Sequence, residues 1–215
     1  MKTDTIEIRG DLHGKETALQ AAEKFISYNS FRGKDAVHIR LLTEEVICMV
    51  NGIMENFRGE LTLESTPAPA GHLCRIRLTA NKTVNALQEN RLMSISTSGK
   101  NEAAKGILGK IREAVRISMQ RSAEEVNDAG SSPADSWYAM GTYHNAQAEP
   151  DFVDEYYTGY WSLNTYRDSL SQQKKEAPAE WDELEKSVIA NISDDVKVGI
   201  RSGATEVVIE KFVKG

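Results

Sequence analysis

At 215 residues, 40% hydrophobic and 27% charged, the chain holds enough apolar material for one sizeable core. A net charge of -6 and a pI near 5.4 argue against electrostatic docking on nucleic acid or on an anionic membrane. The opening MKTDTIEIRG lacks the apolar run of a secretory leader and no stretch has the length of a membrane span, so the sequence reads as cytoplasmic.

Thr5 to Arg9 alternates through Ile6 and Ile8 and predicts a strand. After Gly10 and Asp11, a helix is expected from about Lys15 to Tyr28, burying Ala18, Leu19, Ala22, Phe25 and Ile26. A turn at Asn29 to Gly33 leads into a second helix, Lys34 to Glu55, which Gly52 weakens and Asn56 to Gly59 should end. Strands follow at Glu60 to Ser65 and Leu73 to Thr79, with STPAPAGH between them as a long hairpin loop.

From Ala80 to about Glu180 the period-2 signal vanishes. A long amphipathic helix is expected with Ile107, Leu108, Ile111, Val115 and Met119 inward, then a loop from Asn127 to Pro150 carrying Trp137, Tyr138 and Tyr143. Helical spacing returns from Phe152 to Gln173 with Trp161, Tyr166 and Leu170 as anchors. The chain closes with a helix from Ala179 to Ile192, burying Trp181, Leu184, Val188, Ile189 and Ile192, and a hairpin of Asp195 to Ile200 and Glu206 to Phe212. This order predicts an α+β two-layer sandwich, its helices on one face of a mixed, mostly antiparallel sheet. We expect one domain over 1–215 with a helical and loop insertion over 84–180.

The second helix holds the chemistry of most interest. Val37, Leu41, Glu44, Cys48 and Asn51 share one stripe, and Leu42, Val46, Met49 and Ile53 lie beside it, so the helix is expected to be buried round most of its circumference. A carboxylate in such a stripe requires a partner, which makes Glu44 either a satisfied polar contact or a general base or metal-ordering acid in a pocket. The two cysteines, Cys48 and Cys74, lie in apolar patterns without metal-ligand spacing and are expected to be buried free thiols. His13, His38, His72 and His144 are too scattered for a metal site. Ser98, Gly99 and Lys100 lack the upstream glycine of a phosphate loop and read as a polar turn. Asp194 and Asp195 are placed in a helix-to-strand turn.

LLTEEVICMV resembles the T/S-E-A-x-x-N-A helix of the histidine-kinase-like (GHKL) ATPase superfamily, and SVIANISDDVKVGIRSGATEVVIEKFV is similar to the closing helix and hairpin of its anti-sigma-factor serine-kinase branch in bacteria. The two ends together span a little over half the chain. The resemblance implies a Bergerat-type ATPase fold, with the insertion in place of the nucleotide lid. It implies ATP and Mg²⁺ as ligands, Glu44 as the catalytic base toward a serine hydroxyl, Asn51 at the metal, and Asn51, Asn81, Lys82, Thr83 and Thr205 at the nucleotide.

Three departures point to a degenerate site that binds nucleotide weakly or not at all. Where the family has its magnesium-holding asparagine this chain has Cys48, and a thiol is a poor ligand for a hard cation. The aspartate of the family's Asp-x-Gly, which accepts the adenine amino proton, falls on Ala80 or Asn81, with no glycine two residues on. Its phosphate-cradling Gly-x-Gly falls on Glu183 and Glu185, where carboxylates repel a triphosphate. The expected function is therefore a regulatory protein of anti-sigma type, acting by binding a protein such as a sigma factor or an anti-anti-sigma-like regulator. One alternative is an active ATP-dependent serine kinase or ATPase; another is an oligomeric scaffold, a homodimer among its forms, using Trp137, Trp161 and Tyr166 as an interface.

Overall fold

The computed structural model describes residues 1–54, 56–82, 159–172, 184, 187–201 and 204–214. Their order is β1 (Ile6–Arg9), α1 (Lys15–Tyr28), α2 (Gly33–Ile53), β2 (Phe57–Ala68), β3 (Gly71–Lys82), β4 (Gly159–Ser162), α3 (Leu163–Gln172), α4 (Val188–Ile192), β5 (Asp195–Arg201) and β6 (Ala204–Lys214). The strands form one six-stranded sheet in the order β1-β2-β3-β6-β5-β4. Every pairing is antiparallel, so the parallel component expected of a mixed sheet does not occur among the described strands. The architecture is α+β, with helices packed against an antiparallel sheet.

The pleat explains the core. Leu61 and Leu63 of β2, Cys74, Ile76, Leu78 and Ala80 of β3, Val207 and Ile209 of β6 and Val196 and Val198 of β5 alternate onto one face and are buried there. Ile39, Leu42, Val46, Met49 and Val50 of α2 recur at three- and four-residue spacing and join the same cluster, as do Ala18, Ala22 and Phe25 of α1. On the reverse face the cross-strand neighbours are charged. Arg75 Nε donates to Glu210 Oε1 at 2.9 Å, Lys197 Nζ lies 3.0 Å from Glu210 Oε2, and Arg77 Nη1 donates to Glu206 Oε1 at 2.7 Å.

Helix α1 matches its expected span and ends in a Schellman turn. Phe31 N–H reaches Ile26 O at 3.0 Å and Ser30 N–H reaches Ser27 O at 3.1 Å, while Ser30 takes the left-handed conformation at φ 57°.

The hairpin is longer than its pattern suggested. Pro67 pairs with His72 and Ala68 with Gly71, so most of STPAPAGH is strand and only Pro69 and Ala70 remain as loop. Proline is tolerated because the N–H groups of Leu63 and Ser65 turn toward the N-terminal segment, and Pro67, two residues on, turns its missing donor to the same side beyond Met1.

Two further expectations are corrected. Of the helix predicted over Phe152 to Gln173, Gly159–Ser162 is instead a strand that extends the sheet beyond β5, and helix begins at Leu163. Trp161 is buried in the core, tilted on Tyr166 at 5.9 Å, which agrees with its expected role as an anchor and takes it out of the interface that the scaffold alternative required. Helix α4 is a single short turn capped by Ser187, whose Oγ accepts from Ala190 N–H, and Val188 points outward at 53% exposure instead of inward. The amphipathic helix around Ile107 to Met119, the loop from Asn127 to Pro150 with its aromatics, the Ser98 to Lys100 turn, His144, Trp181, and the acids at Asp182, Glu183 and Glu185 lie outside the described residues.

Candidate functional site

The topology gathers most of the sequence-predicted residues at one end of the sandwich. Helix α2 ends at Ile53 and leads directly into β2, whose first residue, Phe57, pairs with Lys82 at the end of β3. Asn81 pairs with Ala204 and Ala80 with Thr205, so the C-terminal end of α2, the end of β3 and the start of β6 share this edge. Asn51 belongs to the last turn of α2. Glu44 lies two turns earlier on the same stripe, about 10 Å back along the axis. Gly10, where β1 gives way toward α1, donates to Phe57 O at 3.0 Å and brings the start of α1 to the same end. Thr83 lies outside the described residues.

That connection supplies a residue the sequence reading missed. Lys15, the first residue of α1, places Nζ 2.8 Å from Glu44 Oε1. The bond and the attraction of the ammonium hold the Glu44 carboxyl below its usual range, and Glu44 in turn raises Lys15. A carboxylate held ionised by a lysine is a weakened base. Need for a partner was legible from Glu44 alone; which cation supplies it depends on how two helices cross, and nothing local encodes that.

Helix α2 is less enclosed than its composition suggests. The stripe holding Glu44 turns away from the sheet: Val37 is 56% exposed, Cys48 is exposed, and Glu44 keeps a third of its side chain in water. The buried-thiol expectation therefore holds for Cys74 and fails for Cys48. The apolar run is wide enough to face the sheet with Ile39, Leu42, Val46, Met49 and Val50, and Cys48 falls on the opposite arc.

The position that the resemblance would give to adenine recognition also differs. Ala80 is fully buried on the helix side of β3 and offers no acceptor. Its cross-strand partner Thr205 is fully buried too, and among the described residues the Thr205 hydroxyl has no hydrogen-bond partner. Asn81, the next residue, is exposed and belongs to the other face of the sheet by the alternation of the strand. It is therefore not brought beside Thr205.

These donors do not fit a magnesium nucleotide. Glu44 is engaged by Lys15, Cys48 offers soft sulfur in place of oxygen, and the carboxylate that would read adenine is a methyl group at Ala80. Among the described residues no three His, Cys, Asp or Glu side chains gather as a metal site. The described helices include none long and apolar enough to cross a membrane.

A carboxylate elsewhere has a plain structural task. Asp195, buried at the start of β5, accepts Asn164 N–H at 3.1 Å and Val196 N–H at 2.8 Å and receives the Ser162 hydroxyl at 3.3 Å, so it fastens the first turn of α3 to the sheet. Burial pushes its carboxyl up, against the pull of the Asn164 and Val196 amides. Asp194 is exposed and accepts from Phe212 N–H. Comparison of the chain with protein-family models, with curated proteins and with solved structures found no match.

Proposed function

We propose that the chain is a regulatory protein with a histidine-kinase-like, Bergerat-type ATPase fold whose nucleotide site has degenerated, and that it acts by binding another protein. The observation that carries this reading is the pair Ala80 and Thr205. The resemblance implies an adenine-reading carboxylate at Ala80 or Asn81 and a nucleotide contact at Thr205; Ala80 is a buried methyl, and the buried Thr205 hydroxyl opposite it has no hydrogen-bond partner among the described residues. The order of elements along the chain, an acid-bearing second helix followed by a hairpin and a closing hairpin after a long excursion between β3 and β4, supports the fold assignment. The Lys15–Glu44 pair supports loss of phosphotransfer, because the carboxylate that would act as base is already satisfied. The partner class is a sigma factor or an anti-anti-sigma-like regulator, by the resemblance of the two ends of the chain.

Calorimetric titration with Mg-ATP and Mg-ADP tests the reading. We expect no saturable heat up to about 1 mM nucleotide, and the same silence from Glu44→Ala. Magnesium-dependent binding that Glu44→Ala abolishes would overturn it in favour of an active serine kinase or ATPase.

A further inference from the structure

The first residues run beside β2 without completing a strand. The Met1 ammonium donates to Ser65 O and Ser65 N–H donates to Met1 O, both at 2.7 Å, while Thr3 N–H reaches Leu63 O at 2.9 Å. Lys2 stands opposite Glu64 but Ile6 stands opposite Leu61, so four steps along this segment face three along β2 and one residue bulges near Asp4 and Thr5. Among the described residues no backbone hydrogen bond engages Lys2, Asp4 or Thr5. Farther along the same edge is closed. Arg9 N–H bonds His13 O at 3.1 Å, and Gly14 presses so near Glu7 that a β-carbon there would meet its carbonyl oxygen at 2.0 Å.

Facing the open stretch is α1. At 100° per residue Thr17, Gln20, Ala21 and Lys24 fall on the side of that helix opposite Lys15, and with the N-terminal segment they wall a groove of ≈ 580 Å³. Unpaired backbone donors and acceptors along one wall of a groove are what an added strand engages. Charge selects its composition. Glu7 is neutralised by Arg9 at 2.7 Å, which leaves Lys2 and Lys24, neither in an ion pair among the described residues, against Asp4 alone. This is a locally basic groove on a chain of net charge -6.

We propose that the groove between residues 2–5 and α1 receives an extended acidic peptide of a partner protein, which adds as a short strand outside Lys2 to Thr5 and sets carboxylates against Lys2 and Lys24. This rests on the reading that the chain works by binding protein, and it names the surface and the chemistry of what binds.

Fluorescence anisotropy with a labelled peptide of alternating Val and Glu tests it, beside a Val-Lys counterpart and a Val-Glu peptide N-methylated at alternate residues. The Val-Glu peptide should bind saturably and slow amide exchange at Lys2, Asp4 and Thr5. Lys2→Glu with Lys24→Glu should weaken it about tenfold at low salt with an unchanged thermal melt, and N-methylation should weaken it at least as much. Four results overturn the proposal: no saturable binding of the Val-Glu peptide, equal binding of the Val-Lys peptide, indifference to N-methylation, or a self-associated dimer in sedimentation that the double variant dissociates. Nucleotide titration fails or succeeds independently, because Lys15 and Glu44 lie on the other side of α1.

Discussion

Lys15 Nζ stands 2.8 Å from Glu44 Oε1 and joins the first residue of α1 to the middle of α2. Both side chains keep a quarter to a third of their surface in water, so the pair positions the helices more than it stabilises them. Lys15→Met should cost less than about 1 kcal/mol in denaturant unfolding and return the Glu44 carboxyl toward its ordinary value in a carbon-detected NMR titration. The pH signs are opposite for the two partners. Glu44 is depressed from 4.5, so its contribution is present above that value and is lost as pH falls through its folded pKa; Lys15 is raised from 10.5, so its contribution is present below that value and is lost as pH rises through its folded pKa. Lys15→Met should flatten both ends of the stability profile.

Asp195 separates charge from hydrogen bonding. Its carboxyl is raised above 3.8 because burial outweighs the amide bonds, so the folded chain holds the proton more tightly than the unfolded one and stability falls as pH rises through that interval. Asp195→Asn retains an acceptor for Asn164 and Val196 and should change stability at neutral pH by less than about 1 kcal/mol. Asp195→Ala strands those amides and the Ser162 hydroxyl and should cost about 2–3 kcal/mol by urea unfolding. Equal losses in the two variants would contradict this account.

Thiol chemistry distinguishes the two cysteines. Cys74 is buried beside Ser65, and burial pushes its thiol up to about 11; Cys48 is exposed on α2, with its thiol raised more modestly by partial burial. A disulfide reagent at pH 8 should modify Cys48 in the native protein, more slowly than a free peptide thiol, and reach Cys74 only on unfolding.

Thr205→Val should be neutral or should stabilise by about 1 kcal/mol, because the hydroxyl it removes is buried without a partner among the described residues. A loss of more than about 1 kcal/mol in a thermal melt would mean that the hydroxyl is engaged, and would remove the main support for a degenerate adenine position.

Ser30 holds the left-handed position of the turn that ends α1, a conformation glycine adopts without penalty. Ser30→Gly should raise stability by up to about 1 kcal/mol, measured as a rise in the urea midpoint at constant slope.

Much of the fold was legible because its elements carry strong periods: Ala18, Ala22 and Phe25 trace α1, and Leu61, Leu63, Ile76 and Leu78 trace the hairpin. The misses share a physical origin. Pro67 reads as loop, yet the sheet accepts it where no partner strand asks for its N–H. Gly159 to Ser162 carries too short an alternation to register as a strand until β5 gives it a neighbour. Cys48 reads as buried because α2 is apolar on most sides, while the helix has only one sheet to lie against. At the candidate site the sequence marked Glu44, Cys48 and the step at Ala80 and Asn81, together with the acids at Glu183 and Glu185 that lie outside the described residues. Lys15 escaped because cross-helix ion pairs leave no local trace.

Strand β6 comes far later in the sequence than β3 yet pairs directly with it, lying between β3 and β5 with Asn81 beside Ala204 and Gly71 beside Lys214. During synthesis the segment through Lys82 emerges long before the strand that must pair with it, so β3 keeps an open edge until β6 has been made. Loop closure on this scale is slow and leaves that edge available to other chains. Truncations that remove β6 should therefore yield aggregating protein rather than a smaller folded unit, and yield in the cell should depend on how well β3 is shielded in the interval.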